Sequence, residues 1–295
     1  MLGGVRNFRI LILADIFGKG AALSLGIFYC KDIICTNIRR SHFRSYAIEA
    51  RENIIVGIFL LISNLASVFI TGVIQFSIET KWGIEAFSKV SLSFNLSKML
   101  MVLITAMSVV LVPMLKHLKE NELKNIYKEM RAILMFALGG ALILYFPIKE
   151  ILSIWLPQYE ESLKYLALLF PMCLFEGKTS LLLNTYLKSM REEKKLCFIN
   201  IMTVAVSCII GIVTVWKIEN FNVAIVAIPY LLAVRSFILE KIVGLKLHIN
   251  VIKNASVEVM LVTCFIVFNW NLNQQLAIIL YLFVYFVYVI YIKKD

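Results

Sequence analysis

Long apolar stretches recur along the chain, separated by short polar connections. Nine of them are long enough to read as membrane crossings, at Phe8–Cys30, Ile54–Phe76, Ala86–Val112, Ala132–Pro147, Leu163–Leu187, Leu196–Trp216, Val223–Leu239, Val257–Trp270 and Leu276–Ile292. A hydrocarbon core about 30 Å thick takes roughly 20 apolar helical residues per crossing. The fourth, seventh and eighth stretches are short and lengthen or tilt to span. The runs are too long for barrel strands and lack strict alternation, so helices, which satisfy their own backbone groups, are the expected form. The pattern predicts an all-α transmembrane bundle.

Charge then orients it. Lysine and arginine gather on every second connection: Lys31, Arg39, Arg40, Arg44 and Arg51 after the first stretch; Lys116, Lys119, Lys124, Lys128 and Arg131 after the third. Lys188, Arg191, Lys194 and Lys195 follow the fifth, Lys241, Lys246 and Lys253 the seventh, and Lys293 and Lys294 close the chain. The intervening connections are nearly bare or acidic, with Lys81 beside Glu79 and Glu85, Lys149 beside Glu150, Glu160 and Glu161, and Lys217 beside Glu219. The positive-inside rule places the basic loops and the C-terminus in the cytoplasm. Met1 then falls outside, ahead of a first crossing with no signal peptide, although Arg6 and Arg9 are awkward to translocate. An odd number of upstream helices would remove the difficulty and make this the carboxy-terminal part of a larger transporter; a naturally N-out protein is the other reading.

The mean hydropathy of +0.84 agrees with a membrane protein. The net charge of +11 does not indicate nucleic acid binding, because the excess sits in short loops where it sets topology and touches anionic head groups. Six cysteines, Cys30, Cys35, Cys173, Cys197, Cys208 and Cys264, show no pairing pattern and read as free thiols. His42, His117 and His248 fall in loops and read as solvated. No zinc motif, phosphate-binding loop or nucleophile elbow occurs, so neither a metal, a cofactor nor an enzymatic role is expected.

Polar residues inside the crossings carry the candidate chemistry, since ionisable groups there usually face a bundle interior or a wet cavity. Ser88, Ser91, Asn95, Lys98 and Thr105 lie on one helical stripe of the third stretch, with Lys98 near its middle and Lys89 on another face nearer the outside. Helix packing for the hydroxyls and amide, with snorkelling for Lys89, is the competing reading. Asn64, Ser67, Thr71 and Gln75 form a similar row in the second stretch, again open to packing or to a site. In the fifth, Glu176, Ser180 and Asn184 share a face just past Pro171, which frees a backbone carbonyl and can bend the helix. Lys178 points elsewhere, so a Glu176–Lys178 pair is not expected. Asp15 and Lys19, four apart, either pair with each other or act together with a ligand. Arg235, near a helix end, reads as snorkelling, and Glu258, at the edge of the eighth stretch, leaves the last two crossings as peripheral helices facing lipid. The tyrosines from Tyr281 to Tyr291 read as interface anchors.

A family resemblance adds to this. Ser63-Asn64-Leu65-Ala66-Ser67, Thr71-Gly72, Glu79-Thr80-Lys81-Trp82-Gly83-Ile84 and Ala106-Met107-Ser108-Val109-Val110-Leu111-Val112-Pro113 come in that order. They are followed by Tyr145-Phe146-Pro147, Trp155-Leu156-Pro157-Gln158-Tyr159, Phe175-Glu176-Gly177-Lys178 and Arg191-Glu192-Glu193-Lys194. The set resembles the second half of bacterial polysaccharide flippases of the multidrug/oligosaccharidyl-lipid/polysaccharide exporter superfamily. It covers residues 54–200 best. The resemblance implies about twelve to fourteen helices in two bundles that open alternately to either side. Residues 1–53 would be the last helix of the first bundle with its connecting loop, residues 54–240 a second six-helix bundle, and residues 241–295 a loop and two peripheral helices. It implies a truncated or split form, inactive without its other half.

The cargo implied is an undecaprenyl-diphosphate-linked oligosaccharide, met in a cavity where lysine compensates phosphate and Ser, Asn and Gln side chains bond sugar hydroxyls. Lys98 is the first candidate for the diphosphate, Asn95 and Ser91 for hydroxyls, Lys89 or Lys178 for a second positive charge, with Gln75 and Asn64 as further polar contacts. Glu176 and Asp15 are the candidates for ion or proton coupling. A drug or cation exporter of the same superfamily would favour carboxylates over lysines. A glycan polymerase would need a large external loop, and a structural subunit would spend its polar stripes on packing.

Overall fold

The computed structural model describes residues 8–29, 43–116, 120–155 and 157–294. Lys31, Arg39, Arg40, Cys30, Cys35, His42, His117 and Lys119 lie outside the described residues, as do the side chains of Thr105 and the 106–113 motif. No strand occurs among the described residues, and the expected all-helical class holds. The helices are α1 (Phe8–Tyr29), α2 (Phe43–Lys116), α3 (Glu120–Ala141), α4 (Tyr145–Trp155), α5 (Glu160–Leu169), α6 (Met172–Gly177), α7 (Asn184–Ser189), α8 (Glu193–Ile212), α9 (Phe221–Leu247), α10 (Ile252–Asn271) and α11 (Gln274–Lys294).

Among the described residues, five helical segments are long and apolar enough to cross a membrane: Ile48–Met99, Glu122–Trp155, Glu193–Lys217, Phe221–Leu247 and Ile252–Asn271. A sixth forms if Ser162–Leu169 and Met172–Ser189, bent by 45° at their junction, count as one crossing. Gln274–Ile290 is a shorter apolar helix. This is the make-up of a multi-pass membrane protein. The second and third expected crossings both lie within α2, which is two helices meeting at a kink, with no proline between Phe43 and Val112. Its one non-helical residue is Gly83, with φ 82° and ψ 178°, a conformation open to glycine and strained for any residue with a Cβ.

Chain contacts divide the protein into Met1–Ile55 and Val56–Asp295. In the first unit α1 pairs Asp15 with Lys19 at 2.5 Å, both side chains exposed, which is the local pairing that the i,i+4 spacing allows.

In the second unit proline sets most of the irregularities. Pro147 lies just past a 3₁₀ turn at Leu142–Leu144, where the helix tightens between α3 and α4. Pro171 sits at the 45° bend, and the backbone then widens into a π-helical segment at Lys178–Leu183. The core joins these elements to the end of the chain: the Phe265 ring lies 5.4 Å from Tyr145 and 5.1 Å from Tyr281. Tyr281 and Tyr285 donate to the Gly139 and Phe136 carbonyls at 2.8 and 2.9 Å. These two tyrosines therefore fasten α11 to α3 rather than anchoring it at a bilayer interface, and α11 fits there because Gly139 has no side chain; a Cβ would stand 2.9 Å from Tyr285.

Lys124 donates to the His248 carbonyl at 3.3 Å, which brings the start of α3 to the junction of α9 and α10. Lys246 of α9 and Lys195 both bond Glu192 in the turn before α8, Lys195 at 3.1 Å. The lysine bonds, Lys246 first, hold the Glu192 carboxyl below the usual carboxylate range. The basic connections after the third, fifth and seventh stretches thus meet at one end of this unit.

Candidate functional site

The packed bundle holds two polar centres, both built on the bent segment and α9. The first surrounds Arg235. Its guanidinium is 1% exposed and donates to Asn200 Oδ1 at 2.9 Å, Glu176 Oε2 at 3.3 Å and Ser67 Oγ at 3.0 Å. Asn200 donates in turn to Ser63 Oγ at 2.7 Å. Arg235 does not snorkel. A guanidinium offers five donors in a fixed plane, and three helices supply acceptors that a chain end could not.

Glu176, its side chain 27% exposed, opens from this network onto a cleft of about 70 Å³. Ser67, Thr71, Phe94, Lys98, Glu176 and Leu232 line it. Lys98 Nζ stands 4.3 Å from the centre of the Phe94 ring, within cation–π range. A cation, a carboxylate and two hydroxyls thus meet on an otherwise apolar wall.

The other candidates in the second unit do not line this cleft. The packed face of α2 in this region is Val90, Ser93, Phe94, Ser97 and Met101, while Asn95 is exposed and Ser91 half-buried, so the Ser91–Asn95–Lys98 stripe runs along the open side. Ser91 Oγ and Gln75 Nε2 are buried atoms without a hydrogen-bond partner, and Asn64 is exposed. Lys89 pairs with Glu85 at 3.0 Å. Asp15 belongs to the first unit.

Lys178 forms the second centre. Its ammonium bonds Glu240 and, at 2.6 Å, Glu258; Arg131 bonds the same two carboxylates, Nε to Glu240 at 2.6 Å and Nη2 to Glu258. Each cation bridges both anions and each anion both cations. Tyr127 adds a longer bond to Glu240 at 3.4 Å. All four charged side chains are 10% exposed or less, and the ring is formally neutral, the condition under which charges persist in low dielectric. It ties together α3, the π-helical segment, α9 and α10. Glu258 is therefore no edge residue of a peripheral helix: α10 turns Ala255, Glu258, Leu261, Val262 and Phe265 into the bundle.

No protein-family model, curated protein or solved structure matches the chain. The case for function consequently rests on these two centres.

Sequence reasoning missed the ring because three of its four members, all but Lys178, sit where the apolar runs end. Arg131 reads as a topology-setting loop charge and Glu258 as an edge residue, and Glu240 is not singled out at all. The available signal was sign: Glu240 and Glu258 are carboxylates in a region where lysine and arginine dominate, and a buried counter-charge is one reason for such an exception.

Proposed function

We propose that the chain crosses the bilayer nine times and transports a lipid-linked oligosaccharide diphosphate across the bacterial cytoplasmic membrane. The observation that carries the reading is the cleft of Lys98, Glu176, Ser67 and Thr71 between apolar helices. Exposed within the bundle wall, the Lys98 ammonium meets the need of a phosphate group that has to leave water, and hydroxyls beside it suit a sugar. The nine crossings follow if α2 counts as two, divided at Gly83, and α1, the bent α5–α7 segment and α11 each count as one. The basic connections that meet at one end of the second unit support a cytoplasmic assignment for that end.

Glu176 in the same cleft favours a second reading, export of an organic cation. The experiment reconstitutes the full chain in proteoliposomes and follows a fluorescent undecaprenyl-diphosphate oligosaccharide and a fluorescent cation in parallel. Oligosaccharide movement that Lys98→Ala abolishes and Lys98→Arg keeps supports the first reading. Cation movement abolished by Glu176→Gln and indifferent to Lys98→Ala establishes the second, and a chain that neither moves nor binds either probe overturns both.

A further inference from the structure

The ring has a second side. Between the start of α3 and the α9–α10 junction lies a cavity of about 280 Å³, lined among others by Lys124, Tyr127, Lys128, Arg131, His248 and Asn250. None of its lining residues is acidic. Arg131 forms part of its floor and is already balanced by Glu240 and Glu258, so the ring contributes no net charge. Lys124 and Lys128 have no such compensation among the cavity's walls. Lys124 spends one of its three donors on the His248 carbonyl at 3.3 Å, and that bond fixes the ammonium at the rim. Arg131 spends Nε and Nη2 on the carboxylates and keeps Nη1 for another acceptor. The first turn of α10, with Asn250 Oδ1 accepting from the Ile252 amide at 3.2 Å, adds the positive end of a helix dipole at the same place.

We infer that this cavity binds the phosphodiester of an anionic phospholipid head group. Its position argues for lipid over a soluble anion. It lies at the end of the bundle where the basic connections meet, and basic pockets between transmembrane helices at such an end suit these head groups. Lys124 and Lys128 supply the charge, and Asn250 suits the glycerol hydroxyls. This inference stands apart from the transport reading, since it uses none of the Lys98 cleft.

The test measures lipid adducts on the detergent-purified full chain by native mass spectrometry, with phosphatidylglycerol, phosphatidylcholine and inorganic phosphate as separate probes. The Lys124→Gln, Lys128→Gln double variant is compared with Lys194→Gln, Lys241→Gln, which removes equal charge at the same end outside the cavity. Phosphatidylglycerol affinity falls about thirtyfold in the first variant, from two lysines near a phosphate, and less than about twofold in the second. Lys128, Lys194 and Lys241 are exposed and Lys124 is half-buried, and matching melting temperatures confirm that folding is intact. Equal losses in both double variants would overturn the cavity as the site, and equal retention of phosphatidylcholine would overturn anion recognition. Inorganic phosphate binding in place of phosphatidylglycerol would overturn the lipid as its source.

Discussion

Replacing Lys178 by methionine removes one of two cations from a ring whose members are almost wholly buried. Glu240 and Glu258 are then left to share Arg131, with one negative charge in excess on two carboxylates that are 1% exposed or less. Removing one partner of a buried pair costs about 3–5 kcal/mol. For a bundle of this size that corresponds to a fall in melting temperature of roughly 6–20 °C. Adding Glu258→Gln restores neutrality: Arg131 keeps Glu240 at full charge, and the amide oxygen of the new glutamine still accepts from Nη2. The double variant should recover to within about 2 kcal/mol of the parent, a coupling at the upper end of what contacting residues show. Cys173 and Cys197 are buried free thiols, so a thiol-reactive fluorophore reports unfolding in detergent above the baseline given by exposed Cys208. A single variant that melts within about 2 °C of the parent, or a double variant as unstable as the sum of its two singles, would refute the ring as a coupled unit.

Three further outcomes follow from the packing. Arg235→Lys keeps the charge and loses the planar fork that serves Asn200, Glu176 and Ser67 together, so it should cost about 2 kcal/mol by the same thiol assay; an unchanged melting temperature would contradict that. Gly244→Ala places a Cβ 2.9 Å from the backbone oxygen of Ile249 and should destabilise the α9 end by about 1–3 kcal/mol, again read as melting temperature. Glu192, whose carboxyl the lysine contacts depress, contributes stability that is fully present above its unfolded pKa and is lost as pH falls through the lower folded value; melting curves of Glu192→Gln and the parent should therefore differ at pH 7 and converge at the acid limit.

Periodicity carried the helices, and proline carried the bend after α5, because both act within a turn or two of the residue concerned. The separation of Glu176 from Lys178 was also legible, since residues two apart on a helix face different ways. The partners of those two side chains were not. Arg235 and Glu258 lie near the ends of apolar runs, where exposed and buried charges look the same in sequence, and only the packing of α9 and α10 takes them out of reach of the surface. The form of the second connection was hidden for a related reason: a polar stretch such as Glu79–Glu85 can stay helical on either side of a kink confined to one residue, here Gly83.

The two polar centres are linked by this same offset. Glu176 and Lys178 leave the bent segment in different directions and meet Arg235 and Glu240, which leave the same helix, α9. The charges cross: acid to base in one pair, base to acid in the other. A net charge on the bent segment would pull α9 toward one centre alone, whereas the crossed arrangement makes the two elements register with each other at two points. Sliding the bent segment along α9 lengthens both pairs at once, so the Lys98 cleft and the buried ring cannot be deformed independently while the helices stay rigid. Pro171, at the bend just before Glu176, is the place where that rigidity is weakest, because the missing amide hydrogen leaves the helix without its usual bond there. Movement of the bent segment that reaches the cleft must therefore strain the ring as well, since drawing Lys178 away leaves Glu240 and Glu258 with Arg131 alone.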